Sequence, residues 1–129
     1  MDKVPDNFID CAQRLAEAAG EVSRKYFRSR LLVESKDDLS PVTIADREAE
    51  EAMRMVLVKD RPDDGIIGEE FDARNEDAEY VWVIDPIDGT RAFVSGKPLF
   101  ATLVALLKDG EPVLGLIDQP ITKERWMGA

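Results

Sequence analysis

The spacing of apolar residues changes once along this 129-residue chain, close to Gly65. Before that point apolar residues recur every three or four positions, which predicts amphipathic helices over residues 6–28 and 44–59. Beyond it, short apolar runs bounded by turn residues predict strands at residues 66–67, 80–84, 100–107, 113–117 and 124–127. Helices followed by hairpin-like strands favour an α+β fold, with two N-terminal helices packed on a largely antiparallel sheet.

Single residues add detail to this outline. Asp6 is the expected N-cap of the first helix. Gly20 weakens the interior of that helix, so we expect a close packing contact there. Asp109 and Gly110 predict a two-residue hairpin turn. Cys11 is expected in the core. Trp82 and Trp126 are expected either in the core or on a face of the sheet.

The chain contains no histidine, and 27 acids against 17 bases give a formal net charge of −10. The absence of histidine excludes imidazole bases and the catalytic triads that use them. The acidic balance argues against a nucleic-acid partner, which would need a basic surface. No apolar stretch is long enough for a membrane span, and the first residues, which include Asp2 and Asp6, show no apolar signal-peptide region. A single cysteine forms no internal disulfide, so we expect a cytoplasmic protein without a membrane partner.

The predicted strand at residues 80–84 is followed by two acids, Asp85 and Asp88. Their carboxylates and the Ile87 carbonyl between them are hard oxygen ligands, which suit Mg²⁺. The backbone N–H groups of Gly89 and Thr90 would then face an anion. An ordinary Asp-Pro-x-Asp-Gly turn is the alternative interpretation.

Four more residues have two interpretations each. Glu69 follows the strand at residues 66–67, and it reaches the same end of the sheet as Asp85 if the two strands are neighbours; otherwise it lies in a solvated turn. Asp46 is either the acid of a capping box at residues 43–46 or a site acid. Lys36 and Arg91 are either solvated cations or ligands of an anion.

With these motifs the chain resembles the inositol monophosphatase family of Mg²⁺-dependent, typically lithium-sensitive phosphomonoesterases. The matching motifs are Gly-Glu-Glu at residues 68–70, Trp-Val-Ile-Asp-Pro-Ile-Asp-Gly-Thr at 82–90, and Pro-Val-Thr-Ile-Ala-Asp at 41–46 preceded by Lys36. Within the family, residues 91–96, 115–120 and 124–126 are most similar to the histidinol-phosphate phosphatase branch.

The resemblance implies a role for most of the candidate residues. A first Mg²⁺ would be held by Glu69, Asp85 and the Ile87 carbonyl, and a second by Asp85 and Asp88. The residues implied to activate water are Glu69, Thr90 and Asp46. The Gly89 and Thr90 amides are implied to hold the phosphate, and Lys36 is implied to lie on a mobile loop over the metals. Lys36 and Arg91 are further candidate substrate ligands from their charge and position alone. Metal activation of water explains how such chemistry proceeds without histidine.

The resemblance also sets expectations for the whole protein. Residues 1–129 correspond to the N-terminal, metal-binding half of a layered sandwich of sugar-phosphatase type, and the C-terminal half, with a further metal-binding aspartate, is absent from this sequence. The expected function is hydrolysis of a small phosphate monoester by a histidinol-phosphate phosphatase. The alternatives are an inositol monophosphatase or related sugar phosphatase, and an inactive, truncated metal-binding fragment. Inhibition by Li⁺ and a homodimer are expected from the family.

Overall fold

Two long helices lie side by side against one face of a five-stranded sheet in this computed structural model, which describes residues 5–28 and 41–129. Helix α1 spans Asp6–Tyr26 and α2 spans Pro41–Asp60. A short helix, α3, spans Thr90–Val94 and was not predicted from the sequence. In the described part of the chain, no helix carries an apolar stretch that is long enough to cross a bilayer.

The sheet has the strand order β1-β2-β3-β4-β5, so neighbours in the chain are neighbours in space. The β1–β2 pair is parallel and the other three pairs are antiparallel, which confirms the predicted α+β class with a largely antiparallel sheet. Asp109 and Gly110 form the predicted hairpin turn, with φ values of 50° and 85°. The strand bounds are β1 Gly65–Ile67, β2 Tyr80–Asp88, β3 Ala101–Lys108, β4 Glu111–Gln119 and β5 Glu124–Gly128.

Helix α1 buries the apolar stripe that its sequence predicts. A Cβ placed on Gly20 would lie 3.3 Å from the Cβ of Pro120, which confirms the close packing contact expected at this glycine. Asp6 is the first residue of the helix and Pro5 occupies the N-cap position, so the prediction of Asp6 as the N-cap is wrong. An acid in the first turn still interacts favourably with the helix dipole.

Helix α2 begins at Pro41, before the predicted start at residue 44. Proline suits the first position of a helix because its missing N–H would have no intrahelical acceptor there. Thr43 therefore lies inside the helix, and the capping box predicted for residues 43–46 is wrong. Asp46 lies in the second turn of α2, so helix capping does not explain this acid.

Two apolar clusters connect the helices to the sheet. The larger one lies between the helices and the middle strands, and it confirms the predicted burial of Cys11 and Trp82. The smaller one lies beside the end of β2, where ring centroids 4.9–5.9 Å apart join Phe27, Phe93 and Phe100. Trp126 is 55% exposed and pairs with Ile117 on the sheet, so it is a sheet-face residue.

Candidate active site

Strand β2 carries Asp85 and Asp88 to one end of the sheet. The strand continues through Asp88, beyond the predicted end at residue 84, so Asp85 lies within the strand. Between the two acids, three residue steps on β2 oppose two on β3, which is a β-bulge. Pro86 lies in this bulge, a position that tolerates its missing N–H, and its carbonyl accepts a hydrogen bond from the Thr102 hydroxyl at 2.8 Å.

The bulge determines which way the neighbouring residues face. Ile87 is buried in the smaller apolar cluster, while Asp85 is half-buried and Asp88 is exposed. Gly89 follows with φ of 94°, and a Cβ there would lie 3.1 Å from the Leu99 carbonyl oxygen. Only glycine therefore fits this turn without strain.

Glu69 reaches the same end of the sheet from β1. Strands β1 and β2 are parallel, and Ile67 pairs with Val83. Glu69 and Asp85 each come two residues after this pair, so the chain carries both acids in the same direction. Both residues line one groove of about 720 Å³ along the sheet face that the helices leave open.

Burial and mutual repulsion raise the pKa values of the acids at this end of the sheet. The pKa of Asp85 is raised to about 6, first by burial and then by the charges of Glu69 and Asp88. The pKa of Asp46 is raised to about 7, first by burial and then by Glu70, Asp85 and Glu69. No salt bridge formed by the described residues neutralises Asp46, Glu69 or Asp85. Ionisation of all these acids together is therefore unfavourable unless protons or cations offset their repulsion.

The donor chemistry of this end of the sheet fits Mg²⁺. The carboxylates of Glu69, Asp85 and Asp88 and the Ile87 carbonyl are all hard oxygen donors, the kind that Mg²⁺ takes in proteins. Within residues 5–28 and 41–129, no three acidic, cysteine or histidine side chains lie close enough together to form a ready-made metal group. The assignment of individual metal ligands therefore stays a prediction.

The predicted phosphate-binding residues lie on or beside α3. Gly89 precedes the helix, Thr90 is its first residue, and Arg91 is exposed on it. Lys36 lies outside the described residues. The roles of these four residues stay predictions.

Sequence reasoning missed Glu50 in α2, which is 0% exposed. Its carboxylate accepts hydrogen bonds from the backbone N–H groups of Glu70 and Phe71, in the loop after β1. The sequence did contain a signal for this residue. Glu50 comes three and seven positions before the buried Met53 and Leu57, on the apolar stripe of the helix, where an acid is unusual.

Comparison with known proteins agrees with this fold. The model of the inositol monophosphatase family matches residues 4–129. The bifunctional phosphatase IMPL2, chloroplastic, of Arabidopsis thaliana is 56% identical, over 95% of this chain and 36% of its own length. A histidinol-phosphatase of Mycobacterium tuberculosis is 44% identical, over 92% of this chain and 46% of its own length. An inositol monophosphatase structure from Zymomonas mobilis has a TM-score of 0.84 at 51% identity, covering 99% of this chain and 49% of that chain.

The fold and these relatives together define part of an inositol-monophosphatase-type domain. The chain belongs to the inositol monophosphatase family, which confirms the family predicted from its motifs. It spans half or less of the length of the relatives that it matches.

Proposed function

We propose that the protein carrying this chain is a Mg²⁺-dependent phosphomonoesterase that hydrolyses histidinol phosphate. The observation that carries the proposal is the convergence of Glu69 and Asp85 from neighbouring parallel strands, where the charge of Glu69 raises the pKa of Asp85. The choice of substrate is supported by three relatives named histidinol-phosphatase, at 43–46% identity. Myo-inositol phosphate is the alternative substrate, supported by the Zymomonas mobilis inositol monophosphatase.

The metal would be held by oxygen donors at the end of the sheet. We assign a first Mg²⁺ to Glu69, Asp85 and the Ile87 carbonyl, and a second to Asp85 and Asp88. The backbone of Ile87 favours the ionised form of the Asp85 carboxylate and so opposes the rise in its pKa. The chemistry that Mg²⁺ supplies when bound is neutralisation of phosphate charge and a lower pKa of water.

The remaining roles fall to residues around these ligands. Glu69 and Thr90, helped by Asp46, would position and activate the attacking water. A chain with a net charge of −10 repels a phosphate dianion, so donors and cations close to the metals are needed to hold it. We assign phosphate binding to Gly89, Thr90, Lys36 and Arg91.

Phosphate release from histidinol phosphate and from myo-inositol phosphate, each with and without Mg²⁺, tests this function. Asp85→Asn should lower kcat/KM by about 100-fold or more, because it removes a ligand shared by both metals. Asp109→Asn makes the same chemical change in the exposed hairpin turn and should leave kcat/KM unchanged. Wild-type turnover in Asp85→Asn, or release that does not depend on Mg²⁺, would contradict the proposal.

A protein that binds divalent cations without turnover is the non-catalytic alternative. Calorimetric titration with Mg²⁺ alongside the phosphate assay separates the two, since binding without phosphate release would favour this alternative. Inhibition by Li⁺, a homodimer and a cytoplasmic location complete the proposal. Added Li⁺ in the assay and sedimentation of the purified protein test the first two.

A further inference from the structure

The carboxylate of Glu50 is buried and accepts three hydrogen bonds. Its Oε1 accepts the N–H of Glu70 at 3.0 Å, and its Oε2 accepts the N–H of Phe71 at 3.1 Å. The Nε of Arg54, one turn further along α2, donates to Oε2 at 3.0 Å. A buried carboxylate is costly unless it is paired and hydrogen-bonded, and these three donors meet that requirement.

The other nitrogens of Arg54 hold the same loop by its carbonyl groups. Nη1 donates to the Asp72 carbonyl at 2.9 Å, and Nη2 donates to the Phe71 carbonyl at 3.1 Å. The guanidinium also lies 5.7 Å from the centre of the Phe71 ring. We call Glu50 and Arg54 the loop clamp, because together they bind two N–H groups and two carbonyls of residues 70–72.

Gly68 shows how closely the loop clamp approaches the backbone. A Cβ at this position would lie 2.5 Å from Oε1 of Glu50, so no other residue fits there without movement. Glu50 therefore contacts the chain on both sides of Glu69, at Gly68 and at the N–H of Glu70. The backbone of Glu69 is held between these contacts, while its side chain is exposed and lines the groove with Asp85.

We propose that Glu50 and Arg54 are positioning residues that fix Glu69 for metal binding. This inference rests on the proposed function, which makes Glu69 a metal ligand. A buried ion pair often stabilises a protein no more than apolar residues of the same volume would. A role in stability alone therefore explains poorly why four bonds of this pair go to the backbone of one short loop. Groups that orient a metal ligand typically change metal affinity by 10- to 100-fold when mutated.

The chain offers a matched control in the pair Arg61–Asp64. Asp64 is 6% exposed, and Arg61 donates to both of its oxygens, at 2.7 and 3.1 Å. The indole Nε1 of Trp82 adds a third hydrogen bond at 3.0 Å. This pair has similar burial and bonding, but it lies before β1 rather than after it and bonds no part of the loop that holds Glu69.

Glu50→Gln is the decisive variant, compared with Asp64→Asn in the protein that carries this chain. Glutamine keeps one acceptor oxygen, so at least one N–H of the loop or of Arg54 loses its partner. We expect the Mg²⁺ concentration for half-maximal phosphate release to rise about 10-fold. Hydrogen exchange of the Glu70 and Phe71 amides, followed by NMR, should also become faster. Asp64→Asn should lower the Tm and leave both quantities at their wild-type values.

Arg54→Lys keeps the positive charge but loses the two-pronged hydrogen bonding to the loop carbonyls. It is the second test variant if Glu50→Gln does not fold. It should shift the Mg²⁺ requirement in the same direction by a smaller factor. A wild-type Mg²⁺ requirement in the folded clamp variant, or an equal shift in Asp64→Asn, overturns the positioning role. Failure of the proposed function is seen separately, as wild-type protein that releases no phosphate with Mg²⁺. In that case, Mg²⁺ affinities measured by calorimetry for the same variants test the positioning role, which requires weaker binding in the clamp variants than in the wild type. A wild-type protein that binds no Mg²⁺ overturns the positioning role.

Discussion

The two ends of the β1–β2 pair surround their acids with opposite environments. Before β1, the buried Asp64 receives two hydrogen bonds from Arg61 and one from Trp82. At the far end, Asp85 and Asp46 have other acids as neighbours, and burial with this repulsion raises both pKa values. An acid with a buried cation partner supports the fold, whereas acids that raise one another's pKa are typical of functional sites.

The largest expected effect on stability comes from removing Asp64, the hydrogen-bonded acid before β1. Asp64→Ala leaves the Arg61 guanidinium and the Trp82 N–H without their acceptor in a largely buried place. We expect the free energy of unfolding to fall by about 3 kcal/mol, measured by urea denaturation. Asp63→Ala removes an exposed neighbouring acid and should change it by less than about 0.5 kcal/mol. Equal losses in the two variants would show that the buried network does not stabilise the fold.

The sequence predicted the fold well because its signals were local. The apolar stripe of α1 and the Asp109–Gly110 turn each depend on a few adjacent residues, and both are confirmed. The start of α2 at Pro41 and the continuation of β2 to Asp88 were missed. Proline at the first position of a helix is a local signal, which the capping-box interpretation of Thr43 passed over. The continuation of β2 depends on strand register, which a single sequence does not display.

The candidate site was only partly predictable for a similar reason. The acids at residues 85 and 88 are obvious in the sequence, but their proximity to Glu69 depends on β1 and β2 being parallel neighbours. Glu50 was missed because an acid in a helix is normally solvent-exposed, and its burial depends on donors that are 20 and 21 residues away. The position of Glu50 on the apolar stripe of α2 is visible in the sequence, but the distant donors that hydrogen-bond to it are not.

The mutual repulsion of the acids around Asp46 and Asp85 should make stability depend on pH in the metal-free protein. Asp46 and Asp85 have folded-state pKa values of about 7 and about 6, above the ordinary 3.8. A raised acid pKa means that the folded state binds the proton more tightly, so the resulting stability is lost as pH rises from about 4 to about 7. With EDTA present, we expect these two acids to make the Tm fall across this range.

Mg²⁺ and a variant provide the checks on this pH dependence. Added Mg²⁺ should raise the Tm most at the upper end of the range, because a cation that binds the folded state relieves the repulsion. Asp46→Asn combined with Asp85→Asn should flatten the dependence in EDTA. A Tm in EDTA that falls equally in this variant would assign the effect to other groups.

The smallest effect on stability should come from an exposed salt bridge between the two long helices, α1 and α2. Arg14 in α1 and Asp60 at the end of α2 form a salt bridge of 2.9 Å, with side chains 51% and 27% exposed. Solvent screens such a pair, so Asp60→Asn should reduce the free energy of unfolding by about 0.5 kcal/mol or less. Urea denaturation beside Asp64→Ala measures the contrast directly. An equal loss of unfolding free energy in Asp60→Asn and Asp64→Ala would show that burial adds nothing to the stabilising effect of pairing. Pairing alone would then distinguish the structural acids from those of the candidate site.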